Sequence, residues 1–328
     1  MRVTVIGTGG TIASTTTEDR TFALPELKPE EILSSLGSLR GKVDVATVDL
    51  FHEGSSALTR QHVLQLALRI HNEFDNGSEA VIVTQGTATL PDTSYLLDLL
   101  LGDCPPVVCT GAMRNASDLS PDGPVNLRDA LIFTADAVSR RRGVYVIMNG
   151  EVHAPIDVLK FFGASPAGFV SPGVGVLGWV DAEQVRMRRE RRPRPRPYAG
   201  LAERVELIVT YFDAGTLLIR TIAETQEVTG LVVGGFPGRG AVPPSWVEPI
   251  GKYLDSGRPL LFTVMSLTGR ALPKHGPVGA TRQLHEMGAI IGGDLAPTKA
   301  RCLLMAILSE TSDRAEIAKL IDWELEWQ

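Results

Sequence analysis

Cysteine is scarce in this chain: Cys104, Cys109 and Cys302 are three in 328 residues, an odd set with no metal-ligand spacing. That excludes a disulfide framework, and the three read as reduced, buried thiols. Long apolar runs are missing as well. The stretch 95–101 is interrupted by Asp98 and falls far short of a bilayer span, so no membrane helix is expected. The amino terminus enters an apolar strand directly, without the charged, apolar and small-residue succession of a secretory signal, and cytoplasmic residence is the expectation. Paired histidine ligands are lacking too. His52, His62, His71, His153, His275 and His285 are scattered, no His-Glu-Xaa-Xaa-His occurs, and no metal is expected. There is no P-loop, no Gly-Xaa-Ser-Xaa-Gly and no basic surplus, since the formal net charge is -6.

What is present suits a soluble enzyme: 44% hydrophobic residues and 21% charged, in a chain long enough for two apolar cores. Short apolar segments at 3–6, 43–48, 80–84, 107–110 and 143–148 read as strands. Between them, 59–74 sets Val63, Leu66, Ala67, Ile70 and Phe74 on one helical face. Such alternation predicts an α/β fold with a doubly wound, mainly parallel sheet. Pro91 and Pro124 suit first helical turns, where a missing amide hydrogen costs nothing. Segments 205–210, 231–233, 260–264 and 289–291 repeat the pattern and predict a second, smaller α/β domain. Between the two lies 186–197, with seven arginines and alternating proline. Alternating proline opposes helix and central strand, so 186–204 reads as an extended, solvated linker between a domain at 1–185 and one at 205–328. No aromatic residues interleave with these arginines, and nucleic acid is not an expected partner.

Two threonine-glycine turns hang on strand ends: Gly7-Thr8-Gly9-Gly10-Thr11-Ile12 after the first strand and Thr84-Gln85-Gly86-Thr87-Ala88-Thr89 after the third. Ligands bind at the carboxyl ends of strands in such sheets, and glycine there admits a close approach. Ile12 stands where a dinucleotide fingerprint needs its third glycine, which argues against a nucleotide cofactor. The turns predict one hydroxyl-lined pocket with no cofactor. Thr11 also suits a helix cap and Lys160 a surface charge, so the residues alone leave their roles open.

With Thr110-Gly111-Ala112-Met113-Arg114, Asp122-Gly123-Pro124-Val125-Asn126-Leu127 and Asp294-Leu295-Ala296-Pro297-Thr298-Lys299-Ala300-Arg301 following in order, the chain resembles the bacterial-type asparaginase and glutaminase family over nearly its whole length. The resemblance implies an amidohydrolase acting on a small-molecule amide. It implies Thr11 as nucleophile, with Thr87 orienting water or acting as a second nucleophile, and Lys160 of Asp157-Val158-Leu159-Lys160 as the base. Gly54-Ser55-Ser56 matches the segment whose serine and backbone amides hold a substrate carboxylate, and Gly86 and Ala88 complete the binding set. A homodimer or homotetramer is implied as well.

Departures from the family pattern fall on one function. Where the family has Gly-Thr-Asp-Thr, this chain has Gly86-Thr87-Ala88-Thr89. The missing aspartate normally binds the substrate's α-ammonium group and pairs with the lysine. Ser56 replaces a glutamine, Ala241 falls near a loop asparagine, Thr281 near a glutamate supplied by a neighbouring subunit, and 18–27 offers only Phe22 for a lid tyrosine. Carboxylate recognition is retained while ammonium recognition is dismantled, which predicts a substrate without a free amine: an N-acylated asparagine or glutamine, a dicarboxylic monoamide, or a related amide or lactam. The alternative is a homologue impaired by divergence or by engineering at position 88 that binds a small amide without turning it over.

Overall fold

The computed structural model describes residues 1–16, 24–34, 43–137, 141–191, 194–274 and 276–327. The chain divides into two compact units, Met1–Pro197 and Tyr198–Gln328.

In the first unit, β1 (Arg2–Gly9) leads into a two-residue ladder of β2 (Ser14–Thr15) with β3 (Leu24–Pro25). There follow α1 (Pro29–Ser34), β4 (Asp44–Glu53), α2 (Arg60–Asp75), β5 (Ala80–Thr84), α3 (Leu90–Leu101), β6 (Val107–Thr110), α4 (Gly123–Ala137) and β7 (Val144–Met148). Beyond these come β8 (Glu151–His153), the small antiparallel ladder of β9 (Leu159–Lys160) with β10 (Phe169–Val170), and then β11 (Gly178–Asp181) and β12 (Gln184–Met187). The sheet runs β12-β11-β8-β7-β6-β5-β1-β4. Its five strands from β7 to β4 are parallel, and β8, β11 and β12 extend it antiparallel. The chain steps from β1 out to β4, then returns across β1 to β5 and on to β6. The crevice at the carboxyl ends of β1 and β5 is therefore a topological switch point.

Strand residues follow burial. Val81, Ile82 and Val83 are all inaccessible, as a sheet covered on both faces requires. The helix α2 buries Val63, Leu66, Ala67 and Ile70, and Thr59 caps it reciprocally with His62. Full burial of each larger apolar side chain contributes about 1.5–3 kcal/mol. Pro91 and Pro124 occupy the first turns of α3 and α4.

In the second unit, β13 (Val205–Val209), β14 (Gly230–Gly235), β15 (Leu260–Val264) and β16 (Ile290–Ile291) form a parallel sheet in that order. It carries α5 (Leu217–Glu224), α6 (Val247–Asp255), α7 (Thr281–Glu286), α8 (Pro297–Ile307) and α9 (Arg314–Trp327). Its core gathers Ile219, Val233, Trp246, Tyr253 and Phe262.

Most described residues of the arginine-proline stretch are exposed, as its composition suggests, but Arg191 and Arg194 pack against the first unit. β12 occupies its first residues, and the Arg191 guanidinium donates to Asp98 Oδ1 at 2.7 Å and to the Val144 carbonyl at 2.8 Å. Arg194 and Asp98 are each only 4% exposed. The physical reason is a carboxylate on α3, remote in sequence, whose burial demands partners that these arginines supply. The three cysteines are free and buried, and burial pushes the Cys104 and Cys109 thiols up to about 12. Among the described residues, no helix is long and apolar enough to cross a membrane.

Candidate active site at the switch point

Three loop segments meet beyond β1, β4 and β5. Gly10 holds φ 81° at the end of β1, and a side chain there would stand 2.2 Å from Gly86, so only glycine lets the two threonine turns abut. A side chain at Gly86 would in turn strike Ser55 at 2.8 Å. The Ala88 amide donates to Ser55 Oγ at 3.1 Å, and Thr89 Oγ1 donates to the Ser55 carbonyl at 3.0 Å. Ser55, Gly86, Thr87 and Ala88 thus form one surface. Thr11 stands half-buried on the abutting turn, opening a single helical turn at Thr11–Ala13. The cap position of that turn is held by Gly10, and Thr11 is its first residue and not its cap. Gly54 and Ser56 flank Ser55 and are exposed.

Lys160 reaches this surface from β9. Its Nζ donates to Thr87 Oγ1 at 2.8 Å, while Thr87 itself is only 5% exposed. Partial burial holds the Lys160 amine below the ordinary lysine range. Residue 88 contributes no carboxylate to oppose that shift. The sequence-chosen residues Thr87, Lys160, Ser55, Gly86 and Ala88 are therefore adjacent, with Thr11 on the touching turn.

Supporting residues went unassigned in the sequence. Asp122 accepts the Met113 and Arg114 amides at 3.0 and 2.8 Å. Asn126, one helical turn on, donates to the Gly111 carbonyl at 2.9 Å and accepts the Asn149 amide at 2.9 Å. A side chain at Gly111 would strike the Gln85 carbonyl and Thr87 Cγ2, so this network lies directly against the Thr87 turn. The four-residue spacing of Asp122 and Asn126 at the start of a helix was the available signal.

In the second unit, Thr281 Oγ1 donates to the Arg239 and Gly240 carbonyls at 2.7 and 2.9 Å, and Ala241 bridges to Ala280. The threonine closes its own glycine loop and is 1% exposed, so it presents no polar group outward. Phe22 and the rest of 18–23, the first part of the 18–27 segment, lie outside the described residues, as does His275. A cleft of about 770 Å³ lies elsewhere in the first unit, lined by Leu33, Val45, Leu131 and Ile132 with Glu30 and Asp44. Its lining includes neither Thr11 nor Thr87. Among the described residues, no three His, Cys, Asp or Glu side chains gather as metal ligands.

Hydroxyls, an amine of lowered basicity and glycine-opened backbone at the switch point of a mainly parallel sheet define an α/β enzyme of the group-transfer or hydrolytic kind. The family models settle which. The model "Asparaginase, N-terminal" matches residues 2–193, and "Glutaminase/Asparaginase C-terminal domain" matches 204–321. L-asparaginase of Bacillus licheniformis is 31% identical over 94% of this chain and 95% of its own length. L-asparaginase 2 of Escherichia coli (strain K12) is 29% identical over 98% and 92% respectively. The crystal structure of a probable cytoplasmic L-asparaginase from Campylobacter jejuni superposes with a TM-score of 0.86 at 26% identity, covering 98% of each chain. The chain belongs to the asparaginase and glutaminase family and is an amidohydrolase of the asparaginase type.

Proposed function

We propose that this protein releases ammonia from a small side-chain amide by threonine-dependent catalysis, with its preference moved away from free L-asparagine. The observation that carries the reading is the Lys160 Nζ to Thr87 Oγ1 contact of 2.8 Å beside an alanine at position 88. A partly buried amine with no anionic partner gives up its proton more readily than an exposed one, and the neutral form accepts a proton. In this reading Lys160 takes the proton of Thr87, or of a water that Thr87 orients. The oxygen that adds to the amide carbon is that of Thr87 or, where Thr87 orients water, that of Thr11, whose proton passes through the water to Lys160. The tetrahedral intermediate then collapses with transfer of a proton to the departing nitrogen, which leaves as ammonia. Where a threonine ester forms, water hydrolyses it and restores the hydroxyl. Backbone amides at the glycine turns are the candidate donors to the developing oxyanion. No cofactor enters this scheme.

The specificity half of the reading rests on groups that are missing. A hydrogen bond to a charged group contributes about 1.5–3 kcal/mol, so losing several weakens binding of a free α-amino acid by powers of ten. Ser55 remains as the candidate carboxylate holder. An N-acylated asparagine or glutamine, or a dicarboxylic monoamide, satisfies both halves.

Cytoplasmic residence and a homodimer or homotetramer belong to the same reading. The Campylobacter jejuni relative, a probable cytoplasmic L-asparaginase, supports the first. Exposed Tyr211, Phe212, Leu217 and Leu218 on the second unit support the second. Ammonia release across a panel of free, N-acetylated and deaminated amides tests the function. Saturable binding of an amide with no ammonia would replace it by the binding-protein reading.

A further inference from the structure

Lys160 sits on a two-residue ladder whose own pairing contributes little to holding it in place. β9 pairs with β10 only through Lys160 opposite Phe169 and Leu159 opposite Val170. An isolated two-stranded ladder is marginal in water even when longer. Beyond Lys160 the hairpin turns outward: Phe161 and Phe162 are 61% and 56% exposed, and their amides bond back to the Gly168 carbonyl within the hairpin. These bonds join strand to strand. They do not fix the ladder against the main sheet.

Buried Val158 and Phe169 seat the inner side of the ladder, and a polar tie joins it to a strand two earlier in the chain. His153 ends β8, paired with Val146 of β7, and its side chain is completely buried. Its Nδ1 lies 3.0 Å from Oγ of Ser171, the residue directly after β10. On its other side Nε2 makes no hydrogen bond and faces Glu151 Oε2 at 3.5 Å. That geometry selects a tautomer. A proton on Nε2 faces the carboxylate favourably and leaves Nδ1 to accept the Ser171 hydroxyl proton, whereas the reverse would bury a lone pair against a carboxylate.

We propose that His153, acting through Ser171, is the positioning residue that sets Lys160 against Thr87. The link runs from the rigid sheet through the imidazole to Ser171, across the β10–β9 pairing to Lys160, and to the Thr87 hydroxyl. It rests on the reading of Lys160 as the base. A side chain held by such a chain loses alignment, not presence, when the link is cut.

The test uses the full chain and the best amide from the ammonia panel. His153→Leu and Ser171→Ala are each expected to lower kcat about tenfold with KM changed by less than about twofold, since misplacement of a catalytic group costs turnover more than binding. Combining the two should cost no more than either alone, because both cut the same link. His153→Asn, which keeps an acceptor near the Nδ1 position, should restore most of the rate. In a Lys160→Met background neither substitution should alter the residual rate. Where His153→Leu fails to fold, the smaller Ser171→Ala change carries the measurement. The proposal is overturned if kcat of folded Ser171→Ala stays within about twofold of wild type, or if His153→Asn is no better than His153→Leu. Full activity in Lys160→Met alone overturns the parent reading instead, and this proposal with it.

Discussion

Lys160 Nζ donates to Thr87 Oγ1 across 2.8 Å, and the residue after that threonine is an alanine. The base candidate therefore meets its hydroxyl without a carboxylate beside the pair. Burial alone acts on the amine and lowers its pKa. The rate should consequently rise with pH as the amine loses its proton, along a limb below the reference lysine value of about 10.4. Lys160→Met should remove that limb and cost about 10²–10⁴ in kcat/KM. A pH profile of kcat/KM for both proteins checks this, and an unchanged profile in the variant removes the lysine from the mechanism.

Thr11→Val and Thr87→Val keep the side-chain shape and delete the hydroxyls. Each should lower turnover by about 10³ or more while thermal unfolding shifts by only a few degrees. Near-native rates in both proteins would exclude the threonine mechanism.

The Asp98 carboxylate is buried on α3 between Arg191 and Arg194, with Arg191 also bonded to the Val144 carbonyl. Removing one member of such a pair strands the other charge. Asp98→Ala should destabilise the first unit by about 3–5 kcal/mol, read from the urea midpoint, and should leave KM of the folded enzyme unchanged. A loss under about 1 kcal/mol would show that the arginines find other partners.

Much of the fold was legible because strand and helix periods alternate cleanly, and because the glycine turns sit on strand ends. The abutting turns at Gly10 and Gly86 were legible in kind, though their contact was not. Pairings between distant residues left no local trace. Asp98 and Arg191 are 93 positions apart, and composition alone did not set Arg191 and Arg194 apart from their exposed neighbours. The antiparallel extension through β8, β11 and β12 is short and irregular, with no strong period to announce it. His153 looked like one of six scattered histidines until the fold put Ser171 beside it.

Burial pushes the His153 imidazole down to about 4. The unfolded chain thus takes up a proton near pH 6.5 while the folded one resists until about pH 4. The associated stability is complete above pH 6.5 and is lost as pH falls toward 4. Wild type should lose about 3 kcal/mol more than His153→Asn between pH 7 and pH 4. Asp129, raised to about 6 by burial, works in the opposite direction but is common to both proteins. Denaturant titrations at the two pH values measure the difference, and parallel losses would mean that His153 titrates normally.

The central claim is that this family member has kept amide hydrolysis while giving up recognition of a free α-amine. A buried ammonium without a partner is heavily penalised, so wild type should favour N-acetyl-asparagine or a deaminated analogue over free L-asparagine. Ala88→Asp should return a carboxylate to the site, pair it with both the ammonium and Lys160, and move the ratio toward free asparagine. One residue is not expected to rebuild the whole ammonium site. The decisive measurement is kcat/KM for free L-asparagine and for the amine-blocked analogue, side by side, in wild type and Ala88→Asp. The account predicts a ratio favouring the analogue in wild type that falls in the variant, and efficient hydrolysis of free asparagine by wild type with the analogue inert would contradict it.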